Sequence, residues 1–172
     1  MKSVTLRALE PEDIDDIYRW ENDPSVWTSS ATHLPFSRHV LTQYLLQATE
    51  NDIYAQKQLR LVAEADGRSV GCADLFDYDP FHDRAGVGLL IDSRLRGCGY
   101  GTAMIRELGR FATHRIRLHQ LYCHVAASNI ASLTALRRCG FEPVGRLRDW
   151  LWNGSTWEDA FVLQWLLDKN EA

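Results

Sequence analysis

Three glycines alternate with other residues in Arg94-Leu95-Arg96-Gly97-Cys98-Gly99-Tyr100-Gly101-Thr102. Upstream lies Ala85-Gly86-Val87-Gly88-Leu89-Leu90-Ile91-Asp92, an apolar run of strand length without proline. Downstream, Ala103, Ile105, Leu108, Phe111, Ala112 and Ile116 recur at helical spacing. The glycines therefore join a strand to a helix. Glycine adopts φ > 0 at no steric cost and lets a ligand approach the backbone. A helix start leaves N–H groups without intrahelical acceptors and carries partial positive charge. The combination suits a phosphate or pyrophosphate, and the plain alternative is a turn with no ligand. No Gly-Lys-Ser/Thr follows, so this is not a Walker A loop. The glycine spacing also misses the G-x-G-x-x-G of a dinucleotide fold.

A second segment follows, Asn129-Ile130-Ala131-Ser132-Leu133-Thr134-Ala135-Leu136-Arg137-Arg138-Cys139-Gly140-Phe141. It reads as a helix with Ser128 as N-cap and Gly140 just past its end. Arg137 and Arg138 suit the negative end of the helix dipole. Arg96-x-x-Gly99-x-Gly101 resembles the R/Q-x-x-G-x-G/A loop of the GNAT acetyltransferase superfamily. The second segment is similar to that superfamily's N-x-x-S/A helix ending in G-F. The resemblance implies that Arg96, Gly97, Cys98, Gly99, Tyr100, Gly101 and Thr102 hold the pyrophosphate of acetyl-CoA. It also implies cofactor contacts from Asn129 and Ser132, and from the strand backbone at Leu89, Leu90 and Ile91. An N–H on that strand would stabilise an oxyanion developing at the thioester. Many relatives carry a Tyr that protonates the departing thiolate, and Leu136 stands at that position here. Water or another group would then supply the proton.

The remaining pattern agrees with the fold the resemblance implies: α/β, with a mixed central sheet of six or seven strands flanked by about four helices. Val4 to Leu9 alternates as a strand. Pro11-Glu12-Asp13 opens a helix bearing Ile14, Ile17, Tyr18 and Glu21, and Asn22-Asp23-Pro24 stops it. Ser37 caps a second helix carrying Val40, Leu41, Tyr44 and Leu45. Leu59 to Ala65 and Val70 to Phe76 form a hairpin about Asp66-Gly67-Arg68, and Tyr78 to Asp83 reads as a polar turn. Leu121 to Val125 is a short buried strand. Phe141 to Trp150 and Thr156 to Leu167 close a hairpin about Asn153-Gly154. No repeat or linker interrupts residues 1–172, so one domain is expected.

Composition narrows the partners. A net charge of −4 disfavours nonspecific nucleic-acid binding and fits a cationic small molecule. No apolar run is long enough to span a membrane, and Met1-Lys2-Ser3-Val4 begins no signal peptide, so a cytoplasmic protein is expected. Cys72, Cys98, Cys123 and Cys139 lack C-x-x-C spacing, so reduced thiols and no metal are expected. Cys98, beside arginines at a helix start, reads as a tolerated loop residue in preference to a catalytic thiol.

Two branches of the superfamily are most similar: the spermidine N-acetyltransferases and the ribosomal-protein N-terminal acetyltransferases. Val70-Gly71-Cys72-Ala73-Asp74-Leu75-Phe76-Asp77 resembles the polyamine branch's G-x-x-E-L-x-E strand, with Asp74 and Asp77 at its two glutamates. Strand parity separates those two side chains onto opposite faces. The acid cluster of that branch has no counterpart in Thr32-His33-Leu34-Pro35-Phe36. A primary amine, with a pKa of roughly 10, is mostly ammonium at neutral pH and must lose a proton before attack. Asp74 is the candidate base and cation binder. Glu21, Trp20 and Trp27 are candidate acceptor-site residues, with Asp23 a weaker carboxylate. His119 and His124 read as structural in preference to proton shuttles. The expected activity is acetyl transfer from acetyl-CoA to a small diamine or polyamine. The alternatives are a protein N-terminal acetyltransferase and a non-catalytic acyl-CoA-binding module. A homodimer is consistent with the resemblance.

Overall fold

The computed structural model describes residues 2–27, 34–50 and 52–167. Its centre is a seven-stranded mixed sheet in the order β1-β2-β3-β4-β5-β7-β6. The strands are β1 (Thr5–Ala8), β2 (Leu59–Ala65), β3 (Arg68–Asp79), β4 (Arg84–Ile91), β5 (Gln120–Ala126), β6 (Glu142–Trp152) and β7 (Trp157–Leu166). The helices are α1 (Ile14–Glu21), α2 (Pro24–Trp27), α3 (Arg38–Glu50), α4 (Ile53–Gln56), α5 (Tyr100–Phe111) and α6 (Ile130–Arg137). Every neighbouring pair is antiparallel except β4 and β5, which are parallel.

Alternating side chains divide the sheet between two cores. On one face, Leu61, Ala63, Ala73, Leu75, Ala85, Val87, Leu121 and Leu163 pack beneath Met104, Ile105 and Leu108 of α5. On the other, Val62, Cys72 and Leu90 meet Ile17 and Trp20 of α1 and Leu41 and Leu45 of α3. Burying each of the Val, Leu, Ile and Met side chains stabilises its layer by about 1.5–3 kcal/mol. The β2–β3 turn is Asp66-Gly67, with φ of 51° and 70°, the left-handed pair a two-residue hairpin needs.

Several boundaries differ from the sequence expectation. β3 runs on to Asp79 with an irregular register after Phe76, and Tyr78 is buried against the edge of Tyr54. The polar turn is thus shorter than Tyr78 to Asp83. Two four-residue helices, α2 and α4, join the four expected. Helix α5 continues into one wide turn at Ala112–Ile116, which ends at left-handed Arg117. The cap of α6 is Asn129, whose Oδ1 accepts the Ser132 N–H at 3.1 Å, while Ser128 donates to Glu158 at 2.6 Å. No helix among the described residues is long and apolar enough to cross a membrane.

Candidate active site

The parallel pair at the centre of the sheet is held by few rungs. Arg84, Ala85 and Gly86 face Gln120, Leu121 and Tyr122, and there the ladder stops. Beyond it β4 stays paired to β3 up to Ile91, and β5 stays paired to β7 up to Ala126. The two strands therefore part, leaving a cleft that opens toward their C-terminal ends. The Asp92 N–H donates to Val70 O across β3 at 3.0 Å. Antiparallel alternation then turns the main-chain groups of Leu90 and Gly88 toward β3, and those of Val87, Leu89 and Ile91 toward the cleft. Leu89 and Ile91 thus present their main chain to the cleft. Leu90 does not: its backbone faces β3 and its side chain is buried under α1 and α3.

The glycine loop spans the end of β4 and the start of α5. Gly97 and Gly99 have φ of 73° and 88°, and Gly99 caps α5 without a side chain. The first helical bond runs from Ala103 N to Gly99 O, so the amides of Tyr100, Gly101 and Thr102 have no intrahelical acceptor. Tyr100 is otherwise buried, with the Lys2 ammonium 4.9 Å above its ring. Cys98 is exposed, its thiol 3.6 Å from Arg96 O. Arg96 reaches Ser25 Oγ at 3.0 Å and ties the loop to α2.

Asp92, which sequence reasoning passed over, anchors this loop. Its carboxylate is 2 % exposed and accepts from Arg94 Nε and Nη2, Arg94 N, Arg19 Nη2 and Trp20 Nε1, at 2.6–3.1 Å. The Arg94 bonds hold it well below the usual carboxylate range, against the cost of burial. Trp20 is consequently corrected from an acceptor-pocket residue to a core anchor: it is 3 % exposed and its N–H is committed to Asp92. Asp23 also serves the frame, held at about 2 by the hydroxyls of Ser93 and Ser25.

On the α1–α3 face, one row crosses three strands: Arg60 faces Asp74, and Asp74 faces Gly88. A Cβ at Gly88 would lie 3.5 Å from Asp74 Oδ2, so the missing side chain leaves the carboxylate open toward the cleft. In the next row a Cβ at Gly86 would strike the Phe76 ring at 2.3 Å; Phe76 fills that gap and meets Tyr122 edge-on at 6.3 Å. Tyr122, His124 and Trp150 continue the aromatic row across β5 to β6, at centroid spacings of 6.1 and 6.5 Å. Burial first, and the neighbouring Asp77, push the Tyr122 hydroxyl's pKa up. His124 thus stands two residues beyond the last rung, at the cleft. His119 opens β5 at the other end, its main chain bonded to Asp83 and Leu167.

Asp74, the candidate base, is paired in this structure. Arg60 Nε and Nη2 donate to Asp74 Oδ1 and Oδ2 at 2.7 and 2.9 Å, and Nη1 donates to Glu21 Oε1 at 2.5 Å. The three side chains are 13–14 % exposed. Asp74 and Glu21 therefore meet through Arg60. The partners of Arg60 lie far apart in sequence, and only the strand register could have revealed them. Asp77 is exposed and left-handed, at φ 49° beside the irregularity. Leu136 is buried, and no acid replaces the Tyr at that position. Trp27 closes α2, and its side chain lies outside the described residues, as do Thr32 and His33.

Residues 3–142 match the GNAT acetyltransferase domain family. The spermidine N(1)-acetyltransferase of Escherichia coli K12 is 28 % identical over 148 residues, covering 84 % of this chain and 76 % of that protein. The Vibrio cholerae spermidine N(1)-acetyltransferase is 24 % identical over 165 residues, covering 94 % and 93 %. The fold also matches the crystal structure of the Vibrio cholerae spermidine N-acetyltransferase in complex with CoA and spermine. That match has a TM-score of 0.88 at 23 % identity and covers 97 % of each chain. The chain belongs to the GNAT family, as an acyltransferase whose domain uses acetyl-CoA.

Proposed function

We propose that the protein acetylates a primary amine of a small cationic acceptor, a diamine or polyamine such as spermidine. The observation that carries this is the Asp74 carboxylate lying over side-chain-free Gly88, where β4 and β5 part. The spermidine acetyltransferases among its relatives support the acceptor class.

The residues present fit acetyl-CoA. The amides of Tyr100, Gly101 and Thr102, with Gly97 and Gly99 bending the loop, suit its pyrophosphate. The main chain of Leu89 and Ile91 suits the pantetheine arm, with Asn129 and Ser132 on the far side of the cleft. When bound, acetyl-CoA supplies the acetyl group as a thioester. The chain's own residues do the rest. Asp74 and Glu21 attract the ammonium across the α1–α3 face. Each Asp74 oxygen spends one acceptor site on Arg60 and keeps another for the substrate. Asp74 takes the amine's proton, directly or through water, so that the neutral nitrogen can attack. An amide on the cleft side of β4 stabilises the oxygen that gains charge. Holding donor and acceptor together makes a covalent enzyme intermediate unnecessary.

The test is release of CoA thiol from acetyl-CoA with spermidine, spermine, putrescine, and peptides beginning with Ala or Ser. Turnover with the polyamines is expected. Turnover with the peptides alone would replace a small acceptor by a protein N-terminus.

A further inference from the structure

Acetylating an ammonium takes two protons from its nitrogen, one before attack and one after it. Asp74 can hold the first and must give it to water before the next turnover. While it holds that proton it cannot take the second. The departing sulfur needs one proton. A group that carries the second proton from nitrogen to sulfur closes the sequence.

The walls of the cleft limit which group that is. Gly86 and Tyr122 form the last rung of the parallel ladder. Side chains share a face every second residue. From that rung onward the α1–α3 face therefore carries Gly86, Gly88 and Leu90 on β4, and Tyr122, His124 and Ala126 on β5. Two of these six side chains can handle a proton. The Tyr122 hydroxyl donates to Asp77, and its pKa is raised by burial first and then by Asp77. His124 is exposed, and among the described residues its ring nitrogens have no hydrogen-bond partner. His82, by contrast, has Nδ1 2.8 Å from Asp79 Oδ2. The His124 ring is set by contact instead, edge-on to Tyr122 at 6.1 Å and tilted by 33° against Trp150 at 6.5 Å. Its partner on β7 is Val162, which adds no charge. Asp74 is the charged group on the opposite wall, beside side-chain-free Gly88. An imidazole both takes and gives a proton near neutral pH.

We infer that His124 is a second catalytic residue, which moves the second proton from the attacking nitrogen to the sulfur. After attack, an N–H bond of that nitrogen breaks and an imidazole N–H forms. As the C–S bond breaks, the imidazole N–H breaks, an S–H forms, and the imidazole returns to its neutral state. One proton leaves overall, the one that Asp74 passes to water. The inference rests on the amine acetylation proposed above. It gives the chain a proton donor that buried Leu136 cannot supply.

The test has a kinetic arm and a binding arm. His124→Gln should lower kcat with spermidine about a hundredfold and leave the acceptor KM unchanged. Free imidazole should restore part of the kcat of His124→Ala and none of that of Asp74→Asn. His119→Gln, beside the opposite end of β5, should keep the wild-type kcat. The binding arm needs no turnover. In histidine NMR spectra of the wild-type protein, CoA should shift the signal that is missing from the His124 variants and leave the His119 signal in place. A wild-type kcat in His124→Gln, or a His124 signal that ignores CoA, overturns the inference and leaves amine acetylation standing. A wild-type protein that acetylates no amine overturns the functional proposal, and this inference with it.

Discussion

At the scale of single residues, Asp92 carries the most consequence. It joins α1, β4 and the glycine loop through one buried carboxylate. Arg19 and Arg94 can turn to water when it is removed, but the buried Trp20 N–H cannot. Asp92→Ala should therefore cost about 2 kcal/mol in urea unfolding and weaken acetyl-CoA binding by loosening the loop. The sign with pH follows from linkage. The carboxyl's folded pKa lies below its unfolded value of about 3.9, so its stabilisation is present above that pH. It is lost as pH falls from there toward the folded pKa. Asp92→Asn should flatten the wild-type stability curve in that acid window, as read by thermal unfolding against pH. Trp20→Phe separates the core from the pocket assignment: it should lower Tm by a few degrees, through loss of about 1 kcal/mol, and leave the acceptor KM unchanged. None of this was visible in the sequence. Trp20 beside an Asn-Asp-Pro turn looks like a pocket wall until its indole is seen to point at a carboxylate 72 positions away.

At the scale of elements, the parting of β4 and β5 is the decisive feature. The sequence placed both strands and the glycine loop between β4 and α5. The alternation of Gly86 and Gly88 with Val87 and Leu89 was also readable. What the glycines make room for was not, because that depends on the β3 register. Phe76 fills the space over Gly86, whereas the space over Gly88 stays open. The two positions should respond differently. Gly86→Ala drives a Cβ into an aromatic ring and should destabilise by about 1–3 kcal/mol. Gly88→Val has ordinary contact distances at its Cβ and should fold, yet its methyls enter the space between Asp74 and the cleft. We expect kcat/KM for the amine to fall about a hundredfold with acetyl-CoA affinity retained, about 2.7 kcal/mol of lost transition-state contact. Steady-state kinetics and direct acetyl-CoA titration check both halves.

At the scale of the whole molecule, the element order was legible because local signals agreed: glycine turns, apolar period and helix stops all point to one topology. The short helices α2 and α4 escaped because four residues give no periodicity. The candidate site was legible in its donor half, which is a continuous loop. Its acceptor half is assembled from α1, β2, β3 and β5, and appears only when the sheet order is known. That division puts the burden of proof on Asp74. The most direct test compares Asp74→Asn with wild type in CoA-thiol release with spermidine across pH, alongside acetyl-CoA titration. A loss in kcat/KM of about a hundredfold or more is expected for removing a positioned proton acceptor, with acetyl-CoA affinity unchanged. Full kcat/KM at every pH in the Asn variant would contradict it, and would move proton removal away from the β3 carboxylate.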